Sequence, residues 1–455
     1  MTPSPILLFL VWGATAWSTL GGGSAAAIIA GVALLVFFAI ELRKISPFGV
    51  ILLVVSLILV GIHYFHGSLD RELLEKVIER AAFLSLFLIS LFFLQSASAT
   101  SALVRRSGEV LVNQPPGRRY LALTFGGIVF GLLMSLGALT LLGTMIRQGV
   151  ENSSNVKARD IRLRRMTLAL LRSFGTIPMW SPITITMAVV LSSLPNVSWA
   201  QVFPYGATLA IVYLGIGWLM DRFDPSRKGQ APATGGAPLS GLLPLVLLVI
   251  LLPVIGWALS LVLGVTLLKA LLLSLPFMSV GWITIQQQGD GLWLRLRAMW
   301  QHLRTNILPA MPQMRTELSI FAGSASLGIL LVPLLDVERL GDLIAHTSMS
   351  SGQVLTSSLW IIVLFAIIGV SPLISVLVII EILPRLPGLE IAPLAIAMMA
   401  VAAWSVSINI APFATPVRVT GQAIMCDPAR IGLKWNLAYS LSLAAVLSVL
   451  LLVFA

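Results

Sequence analysis

Two long apolar segments of this chain are interrupted by the same proline phrase, Pro-x-x-Ser/Thr-Pro. The first runs from Pro178 to Pro182 and the second from Pro412 to Pro416, and each holds an aromatic residue. Proline inside a helix removes a backbone donor and clashes with the preceding turn. A bilayer tolerates such a break only where the freed backbone is buried in protein or lines a cavity. Two matched breaks, one in each half of the chain, predict a binding site between internal repeats.

The composition predicts an all-α polytopic membrane protein. Of the 455 residues, 58% are hydrophobic and only 10% are charged, and the mean hydropathy is +0.98. Soluble domains carry about 25% charged residues. The apolar runs are long enough to span a bilayer, which takes about 20 residues, and they indicate about 11 transmembrane helices. We expect a multi-pass protein of the cell inner (plasma) membrane.

The basic residues predict two re-entrant hairpins. Arginines and lysines lie on both sides of the apolar run 120–146, in 105–119 and in 147–165. Cytoplasmic loops carry such an excess, so both ends of this run are expected on the cytoplasmic side. The run 354–384 has few basic neighbours and is expected to enter from outside. Counted this way, the N-terminus is cytoplasmic and the C-terminus is outside.

The order of these parts predicts an inverted-topology repeat. Each half has a hairpin with a small-residue tip, followed by a proline-broken helix, and the two hairpins enter from opposite sides. We also expect an outer interfacial helix at 66–80 and a basic amphipathic helix within 286–315. The predicted organisation is a first half 1–220 (hairpin about 120–146, broken helix about 166–194), a cytoplasmic linker 221–238, and a second half 239–455 (hairpin about 354–384, broken helix about 391–417).

The two broken segments resemble the unwound spans of the ion transporter superfamily. Arg172 to Thr184 is similar to the Gly/Thr/Pro-rich span that follows the first hairpin of that group, and Ser407 to Pro416 is similar to its second-half partner. The group includes divalent-anion:sodium symporters, arsenite permeases and the large membrane subunits of tripartite carriers. The likeness covers most of the chain in layout. It implies elevator-type alternating access and a homodimer.

The hairpin tips depart from that family's pattern. Divalent-anion symporters carry a Ser-Asn-Thr triplet at each tip, whereas this chain has Ser135-Leu136-Gly137 and Gly369-Val370-Ser371-Pro372. The dicarboxylate substrate and the sodium sites of those symporters therefore do not carry over. The sequence has no nucleotide-binding motif, so coupling to Na⁺ or H⁺ is expected, without a choice between them.

Candidate substrate-binding residues lie at the tips and around the breaks. Helix N-termini at such tips can bind anions, although small residues also serve close helix packing. Hydroxyls near proline can bind substrate or repair local backbone bonds. Arg172 can bind an anionic group or extend to the interface. The candidates are Ser135, Gly137, Arg172, Thr176, Ser181, Thr184, Ser371, Ser407, Asn409 and Thr415; the helix-break residues are Gly175, Pro178, Pro182, Pro372, Pro412 and Pro416.

Three functions compete at this point. The leading hypothesis is a secondary transporter, a symporter of a small organic or inorganic anion. The second is the membrane subunit of a tripartite carrier that depends on a soluble binding protein. The third is a membrane-embedded lipid-acting enzyme or scaffold, for which the sequence offers no intramembrane carboxylate pair. One cysteine and four scattered histidines favour no metal or other cofactor, and the formal charge of +11 is better explained by topology and anionic lipid than by nucleic acid.

Overall fold

The chain folds into helices, as the composition predicts. The computed structural model describes residues 3–151, 156–224, 238–287 and 291–454, and these ranges contain no strand. Within them, nine helical segments are long and apolar enough to cross a membrane, and two shorter apolar helices lie at Ser351–Ile367 and Leu437–Val453. Most of the predicted linker 221–238 falls outside the described residues.

In the described residues before the linker there are ten helices. A proline or a polar cap marks several of their starts, since Ser46 and Asp70 each accept a hydrogen bond from a backbone N–H of the helix that follows. Their bounds are α1 Pro3–Thr19, α2 Gly23–Glu41, α3 Pro47–Phe65, α4 Arg71–Ala99, α5 Ala102–Val112, α6 Pro116–Met134, α7 Leu136–Glu151, α8 Val156–Trp180, α9 Ile185–Ser193 and α10 Trp199–Arg222.

The described ranges 238–287 and 291–454 contain eleven helices. Short 3₁₀ and π turns connect several of them. Their bounds are α11 Leu243–Leu263, α12 Leu267–Gln286, α13 Leu292–His302, α14 Leu308–Ala310, α15 Arg315–Leu331, α16 Val337–His346, α17 Ser351–Ile367, α18 Pro372–Ile382, α19 Pro393–Ile410, α20 Thr415–Ile424 and α21 Leu437–Phe454.

The helix contacts fall into two groups. In one group, α3 and α4 pack on α15, and α4 also packs on α12. In the other, α8 packs on α6, α10 and α19, while α19 packs on α17 and α21. The contact between α8 and α19 lies in the largest buried core of the protein. The helices that carry the two proline phrases are therefore direct neighbours.

Both predicted hairpins contain a sharp break at their expected tips. Ser135 alone separates α6 from α7, and its backbone has a positive φ of 49°. In the second hairpin α17 ends at Ile367 and α18 begins at Pro372, with Gly369 at φ 105°. Such a φ is strained for serine and easy for glycine. Each break joins two helices that contact one another.

The prediction of a separate interfacial helix at 66–80 was wrong. Asp70 caps a helix that continues without interruption from Arg71 to Ala99, so the charged stretch is the first part of α4. The charges on this stretch pair at helical spacing, Arg71 with Glu75 and Lys76 with Glu72. The amphipathic helix expected within 286–315 is present as α13, whose Trp293 and Trp300 are exposed.

Candidate functional site

The two broken helices have the same local geometry. Helix α8 ends at Trp180 and α9 begins at Ile185; helix α19 ends at Ile410 and α20 begins at Thr415. Each break is thus four residues long, and Pro182 and Pro412 occupy its second position. Because proline cannot donate to the preceding turn, it ends the helix at the same point in both.

The repeated phrase predicted the region of both breaks, but aligning the two phrases residue by residue matched the wrong prolines. Pro182 is the last residue of the first phrase, whereas Pro412 is the first residue of the second. The other two prolines lie in helices: Pro178 in the last turn of α8 and Pro416 in the first turn of α20. The structural equivalence therefore holds between Pro182 and Pro412.

Local backbone bonds occupy the hydroxyls at the first break. The Thr184 hydroxyl donates to the Ser181 carbonyl at 3.0 Å and accepts from the Met187 N–H at 3.3 Å, which caps α9. The Ser181 hydroxyl accepts from the Ile183 N–H at 3.3 Å. Ala414 takes the place of Thr184 at the second break and has no hydroxyl to cap α20. These hydroxyls thus form hydrogen bonds with the backbone at the break. The sequence predicted two roles for them, substrate binding and such local repair of the backbone.

Arg172 is the centre of a buried polar network on α8. Its side chain is 6% exposed, its Nε donates to Asn436 Oδ1 at 2.9 Å, and one terminal nitrogen donates to the Gly217 carbonyl at 3.3 Å. Its guanidinium also lies 4.2 Å from the centroid of the Tyr439 ring. Among the described residues it forms no ion pair, and Asp221, one turn beyond Gly217, pairs with Arg165 instead. In the part of the chain that the structure describes, none of these contacts of Arg172 is with a negatively charged group.

Asn436 connects Arg172 to the second broken helix. Its amide nitrogen donates to the Asn409 backbone carbonyl at 3.1 Å, just before the break after Ile410. The Asn409 side chain in turn donates to the Ser405 carbonyl at 2.9 Å and lies 3.4 Å from the Tyr213 hydroxyl. Arg172, Asn436 and Asn409 thus form one chain of hydrogen bonds across the contact between α8 and α19.

Two tyrosines pack along this network. The Tyr213 and Tyr439 rings meet edge to face, with centroids 5.2 Å apart. The Tyr213 hydroxyl donates to the Ser405 carbonyl at 3.0 Å, and the Tyr439 hydroxyl donates to the Tyr213 carbonyl at 3.1 Å. Both side chains are buried and both hydroxyls have acceptors. The pair fixes α10 and α21 against the two broken helices.

Gly175 serves close helix packing and not a helix break. It lies within α8, and a Cβ at this position would overlap the side-chain amide of Asn409. Its prediction as a break residue is therefore wrong. Gly206 has a similar place on α10, where a Cβ would overlap the carbonyl of Met179. Glycine allows the backbones to approach at both points.

The other predicted site residues lie in several environments. The hydroxyls of Thr176 and Ser407 are buried and donate to their own helices, at the Ser173 and Ala403 carbonyls. Thr415 is exposed at the start of α20. The tip residues Ser135, Gly137, Ser371 and Pro372 are partly exposed at the ends of hairpin helices. A Cβ on Gly369 would lie 3.5 Å from the Phe413 ring, which brings the second tip to the second break.

Sequence reasoning missed most partners of Arg172. Gly217, Asn436 and Tyr439 lie in apolar runs without a proline phrase. One signal was available: Asn436 is a polar residue at the start of the last apolar run, and polar side chains at membrane depth are expensive and often functional. The sequence did not indicate that α21 returns to α8.

Fold and site together define a class of protein: a polytopic helical membrane protein in which two broken helices meet beside a buried arginine. Among solved structures, the chain is similar to the YdaH transporter of Alcanivorax borkumensis, whose crystal structure is described as having an unusual topology. The two are 16% identical, the TM-score is 0.57, and the match covers 90% of this chain and 98% of the other. No protein-family model and no curated protein matches the sequence. The similarity shows the fold. The relation to the ion transporter superfamily remains a resemblance of sequence segments.

Proposed function

We propose that the protein is a secondary active transporter of a small anion, working by alternating access of the elevator type. The observation that carries the proposal is Arg172: a cation, 6% exposed, on a broken helix, without a carboxylate partner in the described chain. A charge at the bilayer centre costs about 2.5–3.5 kcal/mol on insertion scales and usually faces a partner or a pathway. An anionic substrate would supply the missing negative charge.

The arrangement of helices supports alternating access. A long helix, a short helix, a pair of helices joined at a tight turn, a broken helix and a further helix follow one another in α4–α10 and again in α15–α21. We interpret the two series as repeats of opposite orientation, with α6–α7 and α17–α18 as re-entrant hairpins. In secondary transporters the substrate binds where such discontinuous helices meet. The predicted homodimer and the coupling to Na⁺ or H⁺ belong to the same proposal.

The substrate class is tested by a thermal-shift screen of the purified full chain with small organic and inorganic anions. Each anion is measured with and without sodium, and cations and neutral solutes of similar size serve as controls. Stabilisation by an anion is expected, because a ligand that binds only the folded state raises the melting temperature. Stabilisation by cations or neutral solutes alone would contradict the proposal. Binding without any soluble protein would also argue against the tripartite alternative.

The re-entrant first hairpin predicts that the ends of α5 and α7 lie on the same side of the membrane. Asn113 and Gln148 are exposed at these ends and can be replaced by cysteine after the native thiol is removed by Cys426→Ser. Neither cysteine should react with an impermeant maleimide added to intact cells, and both should react after permeabilisation. His66→Cys, exposed after α3, is the control expected to react from outside. External labelling at only one of the two ends would make this region a simple span.

The equivalence of Pro182 and Pro412 predicts which prolines matter for transport. Pro182→Ala and Pro412→Ala restore a backbone donor at the break and should lower the uptake rate about tenfold or more, since the half-helices can then rejoin. Pro416→Ala, in the first turn of α20 where proline is favourable but not required, should change the rate less. Uptake is compared at equal amounts of protein in the membrane. Equal rates in all three variants would make the prolines tolerated kinks.

A further inference from the structure

The exposed side chains of α7 and α20 are all polar, and most of them recur at helical spacing. Residues three or four apart lie on one face of a helix, so each helix has a polar stripe. The opposite faces are apolar and buried, as Leu142 on α7 and Val417 on α20 show, each 0% exposed. The α7 stripe consists of Thr140, Thr144 and Gln148, of which Thr144 is partly exposed; the α20 stripe consists of Thr415, Arg418 and Gln422.

Helix α3 shows the opposite pattern, the one expected of a helix that faces lipid. Every exposed side chain between Phe48 and Ile58 is apolar, and Ile51 and Leu57 are 56% and 64% exposed. Hydrocarbon cannot form hydrogen bonds with threonine, glutamine or arginine, and a charge such as that of Arg418 is costly in it. The exposed side of α7 and α20 therefore requires water or protein in front of it.

Helices α7 and α20 run in the same direction. Helix α7 leads to the start of α8, and Gly143 in its middle lies against Ala423 near the end of α20, where an added Cβ would be 2.8 Å from the Ala423 Cβ. Before α20 begins, Asn409 lies against Gly175, toward the end of α8. Both helices thus run from the level of the breaks toward the start of α8.

The two stripes lie on the same side of this helix pair. With 3.6 residues per turn, the α7 stripe is centred about 100° from Gly143 around its helix axis. The α20 stripe is centred at about the same angle from Ala423, but in the opposite sense of rotation. Gly143 and Ala423 face each other across the contact. For helices that run in the same direction, the two stripes then point the same way and form one polar surface.

This polar surface leads to the second break. Thr415 is the first residue of α20, and Phe413 just before it is 61% exposed. The first break is buried in comparison, since Ser181 is 0% and Ile183 is 6% exposed. The start of α7 is the tip of the first hairpin, where Gly137 is partly exposed. One broken helix and one hairpin tip therefore border the same polar surface.

We propose that the polar surface of α7 and α20 lines a water-filled vestibule, through which the transported anion passes between the second break and the side of the membrane where α8 begins. The role of the vestibule in transport rests on the proposed function, whereas the water in it does not. The basic residues at the start of α8 predict that this side is cytoplasmic. The one acid of the two helices, Glu151, is at the end of α7 and pairs with Arg147 at 3.5 Å.

The test is the reaction of single cysteines with a charged, impermeant methanethiosulfonate added to inside-out membrane vesicles, after the native thiol is removed by Cys426→Ser. Thr144→Cys and Gln422→Cys are expected to react about tenfold faster or more than Leu57→Cys, because a thiol in apolar surroundings does not form the reactive thiolate. Leu57 is the matched control, since it is exposed in the middle of α3. The total thiol measured in denaturing detergent corrects for the amount of each variant.

Reaction of Thr144→Cys and Gln422→Cys no faster than that of Leu57→Cys would overturn the vestibule, as would reaction from the outer side alone. A short bismaleimide that joins two copies of the chain through Gln422→Cys would show a subunit interface and would also overturn it. Loss of substrate uptake after labelling would support the passage of the anion along this surface. Fast labelling in a protein for which no transported anion is found would support the vestibule and contradict only the proposed function.

Discussion

Arg172→Gln is expected to raise the dissociation constant of the transported anion about ten- to a hundredfold. The loss of a charge-assisted hydrogen bond to a bound anion weakens binding by about 1.5–3 kcal/mol. In the unaltered protein Arg172 Nε donates to Asn436 at 2.9 Å. Glutamine keeps a polar side chain that can still bond to Asn436, so this substitution disturbs the hydrogen-bond network as little as possible. Binding to the purified protein is measured by calorimetry with an anion found in the thermal-shift screen.

Two further substitutions make this prediction sharper. Arg172→Lys should recover part of the affinity, because lysine keeps the charge but lacks the planar fork of guanidinium. Arg418→Gln removes an exposed arginine close to the second break and should leave the affinity nearly unchanged. If a confirmed substrate bound Arg172→Gln as well as the unaltered protein, Arg172 would have only a packing role in the network.

Asn436→Leu is expected to give the largest loss of stability among single changes in the network. Leucine removes the acceptor of Arg172 Nε and the donor to the Asn409 carbonyl, and leaves the buried guanidinium with one hydrogen bond fewer. Breaking such a contact from one side should lower the free energy of unfolding by about 2–4 kcal/mol. Unfolding is followed by circular dichroism in mixed micelles with increasing denaturing detergent.

The double variant Arg172→Met/Asn436→Leu tests the cause of that loss. Once the charge is removed, the missing acceptor no longer leaves a buried N–H of a cation without a partner, so the double variant should be more stable than the sum of the single changes predicts. Asn306→Leu is the control, because Asn306 is exposed and its side-chain amide forms a hydrogen bond with His302 of the neighbouring turn, at 3.0 Å. Additive losses in the double variant would show that Asn436 acts through packing and not through the charge of Arg172.

The sequence by itself determined the class of structure and the places where helices stop. Apolar runs of bilayer length leave helices as the means of satisfying the backbone, and the described residues contain helices and no strand. Proline acts within one turn of its own position, so the phrases Pro178–Pro182 and Pro412–Pro416 indicated the region of each break, although only Pro182 and Pro412 lie in the breaks themselves. Small residues at 135–137 and 369–372 likewise marked the points where α6 gives way to α7 and α17 to α18. These are local effects, and local sequence is enough to predict them.

The tertiary structure alone decided which residues meet at those breaks. Arg172 and Asn436 are separated by 264 positions, and nothing in the chain between them predicts a 2.9 Å hydrogen bond. Gly175 was expected at a break because the span from Arg172 to Thr184 resembles an unwound segment, but it lies within α8, where Asn409 of α19 occupies the space of a side chain. The pairing of Pro182 with Pro412 also depends on where each helix ends in three dimensions. Contacts between distant segments depend on how whole helices pack against each other. The partner of a buried side chain is therefore set by its neighbours in space, and these cannot be read from the order of residues.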